Sequence, residues 1–281
     1  MIDNLFLSVG AMKAATTWLY TVLSDHPEIY FTPEKEIHYF ASEFGVAPDV
    51  LSDANRISRV PNYLRQIDSL SITEARKRLI WVSNYLKDPN STNWYENLFI
   101  NKGNQKYCAD FSNLHCHIDS KNWHHVLNSA YNVKVLYTMR SPVKRLWSHA
   151  KFHAQFIGQA DLIDSWNPKT LEEFVRKPHM WINSEYGRII KKLKKSIPEE
   201  SLKISFMEDI QKSPINWFRD LESFLEISEY SYNDNKINRR VNTSLKKDMP
   251  DWFPELFSKD IRRINKEIEN LGYKVPDSWS Q

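Results

Sequence analysis

Glycine is scarce in this chain, at only 6 of 281 residues. That excludes collagen-like and glycine-linker architectures and makes each glycine positional. Cysteine is scarcer still, with Cys108 and Cys116 alone. Two cysteines in a chain of this length do not make a disulfide framework. No apolar run is long enough to span a bilayer, and strand-like sequence starts almost at Met1, where a leader would stand. An excess of charge is missing too. A formal net charge of +3 is too mild to make nucleic acid the main partner, yet it leaves room for a locally basic site. The expectation is a soluble, cytoplasmic, enzyme-sized chain with reduced thiols.

Apolar strand-like runs are present at residues 5–9, 28–31, 106–109, 133–139 and 202–206. Between them lie helical patterns at 16–24, 119–130, 142–156, 184–196, 214–225 and 252–270. Strands alternating with helices predict crossover units and a central, mostly parallel sheet flanked by helices, an α/β fold of three layers. Ligands in such sheets sit beyond the carboxyl ends of the strands. Residues 42–104 interrupt the alternation and read as helical around 73–86. We expect a single domain over 1–281, with this stretch inserted on the acceptor side of the site. Its Tyr and Trp residues suit stacking against a sugar ring.

The first strand runs into Gly10-Ala11-Met12-Lys13-Ala14-Ala15-Thr16-Thr17-Trp18. A lysine, two threonines and a helix start together suit an anion, because the first N–H groups of a helix are unpaired and carry the positive end of its dipole. A nucleoside-triphosphate P-loop needs glycine before the lysine and Ser or Thr after it. Met12 and Ala14 stand there instead. Lys13 can reach a bridging oxygen, and the amides of Ala15, Thr16 and Thr17 can wrap a terminal one. Alanines at 14 and 15 suit a helix entry in which both take negative φ; positive φ would favour glycine.

The run from Lys13 to Trp18 resembles the 5′-phosphosulfate loop of sulfotransferases that use 3′-phosphoadenosine 5′-phosphosulfate (PAPS). Those proteins usually have a glycine within the loop. After the fourth strand, Arg140-Ser141-Pro142 and then Ser148 are similar to the same family's 3′-phosphate motif, with the same spacing of eight residues between Arg and Ser. Arg140 ends a strand at the ligand edge and can fork onto a phosphate. Pro142 suits the first turn of a helix. Position 141 usually holds Asp or Asn, and Ser there should affect helix capping more than binding. The resemblance implies a P-loop-like fold and PAPS as sulfuryl donor, with no metal required. It places Lys13, Ala14, Ala15, Thr16, Thr17, Trp18, Arg140 and Ser148 at the donor.

Lys35-Glu36-Ile37-His38-Tyr39-Phe40 resembles an element of the glycan sulfotransferases whose glutamate is the proposed catalytic base. Sulfuryl transfer needs a base, positive charge at the leaving phosphate, and in-line alignment. Glu36 is the expected base and Lys13 the leaving-group cation, with Lys35 and His38 assisting. His38 is the alternative base, since imidazole already titrates near neutrality. Residues 239–247 lie where the family has a basic loop over the 3′-phosphate, but its Arg-Lys-Gly pattern is absent. Arg239, Arg240, Ser244, Lys246 and Lys247 are the choices there. Met207 stands where the family often has an adenine-contacting Tyr, so no adenine role is carried over. The histidines at 115, 117, 124 and 125 with Cys116 match no standard zinc spacing, so no metal is expected.

The expected function is transfer of a sulfuryl group from PAPS to a hydroxyl or amine, with a glycan or small alcohol as acceptor partner. A phenol or lipid acceptor with His38 as base is the alternative within that class. Two readings lie outside it: a nucleotide kinase with a degenerate P-loop, and a non-catalytic glycan-binding module.

Overall fold

Leu5, Phe6 and Leu7 are consecutive, and all three are completely buried. Only a strand covered on both faces can bury every residue of such a run. A computed structural model, describing residues 1–239 and 247–279, places them in β1 (Ile2–Ser8) at the centre of a five-stranded sheet. The other strands are β2 (Ile29–Phe31), β3 (Tyr107–Phe111), β4 (Ala130–Met139) and β5 (Leu202–Phe206). The order is β2-β3-β1-β4-β5, and every pairing is parallel. Leu5 stands opposite Cys108 on one side and Val133 on the other.

Side chains alternate between the two faces, as strand geometry requires. Leu5, Leu7, Val133 and Val135 enter one apolar cluster, and Phe6, Ala109 and Leu136 enter another. The second face is covered by α1 (Thr16–Leu23), which follows β1. After β2 come α2 (Tyr39–Glu43), α3 (Asp53–Tyr63), α4 (Ile72–Tyr85) and α5 (Thr92–Asn97). The stretch from 42 to 104 is therefore helical, but its aromatic rings are not free for a sugar. Tyr63, Trp81, Tyr85, Trp94 and Tyr95 are all buried. Trp81 stacks on Tyr85 with 5.1 Å between centroids, and Tyr63 meets Trp81 edge-on at 4.9 Å. They join the cluster that holds Leu5 and Leu7, because short helices cannot cover a sheet face without large apolar side chains.

Helix α6 (Trp123–Leu127) is shorter than the 119–130 pattern suggested, since Ala130 already pairs with Ile2 as part of β4. Then follow α7 (Pro142–Phe156), α8 (Leu162–Ser165), α9 (Pro168–Val175), α10 (Pro178–Trp181) and α11 (Tyr186–Ser196). After β5 come α12 (Met207–Lys212), α13 (Pro214–Leu225) and α14 (Asp234–Ile237). The helix expected over 252–270 is split into α15 (Phe253–Leu256) and α16 (Ser258–Asn270). The break at Phe257 lets Phe253 and Phe257 enter a third cluster with α7 and α9, while Ile264 and Ile268 enter the cluster that holds Ile189 and Ile190 of α11.

Two backbone positions give direct tests. Gly187 of α11 faces α16 so closely that a Cβ there would lie 2.5 Å from Glu267 Cβ. Gly187→Ala should lower unfolding free energy by about 1–3 kcal/mol by forcing the helices apart. Ala15, at the start of α1, has φ 61° and ψ 23°, so the negative φ expected of both loop alanines is met only at Ala14. A Cβ in this left-handed region costs roughly 1 kcal/mol, which is why glycine suits the position. Ala15→Gly should raise stability by up to about 1 kcal/mol. Urea unfolding of both variants beside the parent checks each sign.

Candidate active site

The carboxyl ends of β1 and β4 are bonded together beyond the strands themselves. Ala11 N donates to Thr138 O at 2.6 Å, and Thr138 N donates to Gly10 O at 2.9 Å. Gly10 has φ 141°, and a Cβ there would come within 3.2 Å of the Tyr137 ring and the Asn113 carbonyl. The loop thus runs tight along β4, and its lysine arrives where Arg140 leaves that strand. Arg140 Nη1 reaches the Lys13 carbonyl at 3.4 Å. The two motifs, far apart in sequence, meet here.

Helix α1 starts at Thr16 with no side-chain cap, so its first amides are open to a ligand. Trp18 serves as a wall: its Nε1 donates to the Lys236 and Ile237 carbonyls at 3.2 and 3.0 Å. Helix α7 begins at Pro142, and Ser141 caps it with no side-chain bond. Instead the Ser141 N–H donates to Glu208 of α12 at 2.9 Å. A carboxylate from another element thus satisfies the N–H of the cap residue, and against the burial that disfavours the charged form of Arg140 its charge favours that form. Ser148 and Phe152 stand one turn apart on α7, and Lys13 Nζ lies 4.3 Å from the Phe152 ring centroid. Lys13 therefore rests against the same side of α7 that carries Ser148.

Burial, followed by the charges of Arg140, Lys35 and Lys151, brings the Lys13 pKa down to about 8. Like charges crowded in a half-buried place favour an anion among them.

Glu36 faces this group from the loop after β2. Its carboxylate accepts from the backbone N–H of Asn113 at 3.0 Å and from Asn113 Nδ2 at 2.9 Å. Lys35 Nζ also binds it, and so bridges Glu36 to the Thr16 hydroxyl, 3.3 Å away. His38 Nε2 is 3.2 Å from the other carboxylate oxygen. Burial opposes ionisation of Glu36, but Lys35, His38 and the Asn113 amide outweigh it and hold the carboxyl below its usual range. Its side chain keeps 25% exposure, against 8% for His38. Burial takes the His38 pKa down to about 4, despite the opposing pull of Glu36. A neutral His38 donates through Nε2 to the carboxylate, which leaves Nδ1 as a buried acceptor without a partner.

Behind this pair, His38 N donates to Ser112 Oγ at 2.8 Å, and Ser112 Oγ donates to Asp110 at 2.5 Å. Tyr95 of α5 donates to the same Asp110 at 3.0 Å, and Arg59 of α3 to the Glu36 carbonyl at 3.3 Å. The helical stretch thus braces the Glu36 loop.

The structure brings together Lys13, Thr16, Arg140, Lys35, Glu36 and His38, with Ser148 on the adjoining helix. Arg240, Ser244 and Lys246 lie outside the described residues. Arg239 is exposed, and Lys247 Nζ is paired with Asp164 at 2.5 Å. The histidines after β3 diverge: His115 is fully buried, His117 bonds Asn183 at 3.0 Å, and the His124 ring lies tilted against that of His125. Among the described residues no group of three or more His, Cys, Asp or Glu is placed to hold a metal ion. Sequence reasoning missed Asn113 and Glu208. Asn113 follows β3 at the carboxyl edge of the sheet, and that position was its available signal. Glu208 lies beside Met207 in the segment compared with the family's after the fifth strand, but its partner is fixed only by the pairing of β5 with β4.

No protein-family model matches the chain, and no curated protein matches it. Solved structures do. A sulfotransferase from Alicyclobacillus acidocaldarius superposes with a TM-score of 0.68 over 100% of both chains, at 18% identity. The sulfotransferase domain of the curacin biosynthetic pathway gives 0.59 over 98% of this chain and 99% of its own, at 16% identity. That of the Synechococcus PCC 7002 olefin synthase gives 0.57 over 98% and 96%, at 14% identity. The likeness runs through the whole chain, and the fold is that of the sulfotransferases.

Proposed function

We propose that this chain transfers a sulfuryl group from PAPS to a hydroxyl or amine acceptor. The observation that carries the reading is the meeting of Lys13 and Arg140 at one sheet edge, opposite a partly exposed carboxylate. The open amides of α1 and Lys13 suit the phosphosulfate end of the donor, with Lys13 at the oxygen between phosphorus and sulfur. Arg140 and Ser148 suit the 3′-phosphate. Glu36 takes the acceptor proton as the acceptor oxygen or nitrogen attacks sulfur, and the S–O bond to the phosphate breaks. Charge then builds on the leaving phosphate, where Lys13 offsets it.

A carboxylate with a depressed pKa is a weak base. Lys35 offers a remedy, because it lies between Glu36 and the Thr16 hydroxyl. A sulfuryl group at the start of α1 competes for that ammonium and lifts the proton affinity of Glu36. His38 supports the carboxylate in this scheme. Greater exposure favours Glu36 over His38 as the base. With the aromatic rings of the insertion buried, a carbohydrate acceptor rests on the resemblance of residues 35–40 alone, and an acceptor screen should include phenols and alkyl alcohols.

Adenosine 3′,5′-bisphosphate, the product expected from the donor, should raise the melting temperature of the purified protein without magnesium. Absence of any binding would overturn the reading, and magnesium-dependent ATP binding would favour a kinase. Glu36→Gln should lose turnover and keep bisphosphate affinity; full turnover would move the base to His38. With burial and neighbouring cations bringing its pKa down to about 8, Lys13 is mostly charged at neutral pH and loses its proton as pH rises through that value. A bound anion raises this pKa, so binding at higher pH takes up a proton. Affinity should therefore fall as pH rises beyond about 8, by at most about tenfold per pH unit. A calorimetric profile that stays flat to pH 10 would remove Lys13 from the anion site.

A further inference from the structure

The donor region holds one more cation than the sequence motifs supply. Lys151 lies three residues beyond Ser148 on α7, and residues at that spacing share a helix side. It is only 7% exposed, uncommon for a lysine. Its Nζ donates to the Lys247 carbonyl at 2.9 Å, and Trp147 Nε1 donates to the same oxygen at 3.2 Å. The ammonium lies 5.4 Å from the Trp147 ring centroid.

Its charge is felt across the site. After burial, Arg140, Lys35 and Lys151 all act against the charged form of Lys13. Burial also acts against the charged form of Lys151, as does Arg140, while Asp248 favours it. Cations are thus gathered from the β1–α1 loop, from residue 35, from the end of β4 and from α7. Lys35 is paired with Glu36, but the mutual repulsion of Lys13, Arg140 and Lys151 remains, and a multiply charged anion placed among them relieves it. The resemblance leaves a gap of the same sign. The chain lacks the Arg-Lys-Gly pattern at 239–247; of the basic residues there, Arg239 is exposed and Lys247 is paired with Asp164, so no described residue of that segment is placed at a 3′-phosphate.

We propose that Lys151 is a third contact of the nucleotide 3′-phosphate, beside Arg140 and Ser148, supplying a positive charge from α7. This rests on the donor reading above. Lys151 then acts in nucleotide selection, favouring 3′-phosphorylated over 3′-unphosphorylated adenosine nucleotides. Its bond to the Lys247 carbonyl holds the stem in place for that task.

Isothermal titration with adenosine 3′,5′-bisphosphate and with adenosine 5′-monophosphate tests it. Lys151→Met should weaken the bisphosphate by about tenfold or more, the size of a lost charge-assisted hydrogen bond, and change the monophosphate by less than about twofold. Lys151→Gln keeps an N–H donor for the Lys247 carbonyl but no charge. It should show the same selective loss, and it serves if the Met variant does not fold. Lys151→Arg should keep most of the preference. Equal weakening of both nucleotides, or full preference retained in the uncharged variants, overturns the assignment of Lys151 alone. A parent protein without preference for the 3′-phosphate overturns the donor reading, and this role with it.

Discussion

Two backbone hydrogen bonds between residues 10–11 and Thr138 hold the site together. They continue the β1–β4 ladder past the end of the regular strand and lay the loop that carries Lys13 along the exit of β4. Without that continuation Lys13 and Arg140 would point from neighbouring strands without a common target. Gly10 makes it possible, because a side chain there would strike both the Tyr137 ring and the Asn113 carbonyl. In a chain with so few glycines, this one stands where backbones must approach closely.

The two sides of the site differ in electrostatic character. Around Lys13, the charges of Arg140, Lys35 and Lys151 add to burial in opposing its ammonium form. Around Glu36, nearly every acceptor position is already engaged by Lys35, Asn113 and His38. One side is crowded with cations and the other is saturated with donors. Lys35 touches both, so an anion on the first side changes the protonation chemistry of the second.

The sheet and the long helix α7 were legible because a buried parallel strand reads as a continuous apolar run and an amphipathic helix has its own period. Lys13, Arg140 and Glu36 were legible because each ends or follows a strand, where ligands of such sheets sit. The left-handed backbone of Ala15 was hidden, since alanine gives no sign of positive φ. Asn113 had its position after β3 as a signal, but a lone Asn carries no pattern, and its value comes from two donors reaching one carboxylate. Lys151 reads in sequence as one more polar residue on a helix; only burial beneath the Lys247 segment sets it apart. The aromatic residues of 42–104 misled for a related reason. Composition tells that rings are present and says nothing of which side of the backbone faces water.

The cap of α7 comes from Glu208, which follows β5. The segments of Lys13 and of Arg140 to Ser148 end by residue 156, yet the N–H of Ser141, which heads the helix carrying Ser148, meets its carboxylate only once β5 has paired with β4, where Phe206 stands opposite Met139. A ribosome releasing this chain would finish both motifs well before the residue that steadies them. The N–H of Ser141 at the head of α7 is therefore satisfied late in the life of the nascent chain, and a fragment that stops at α7 lacks the carboxylate that bonds it.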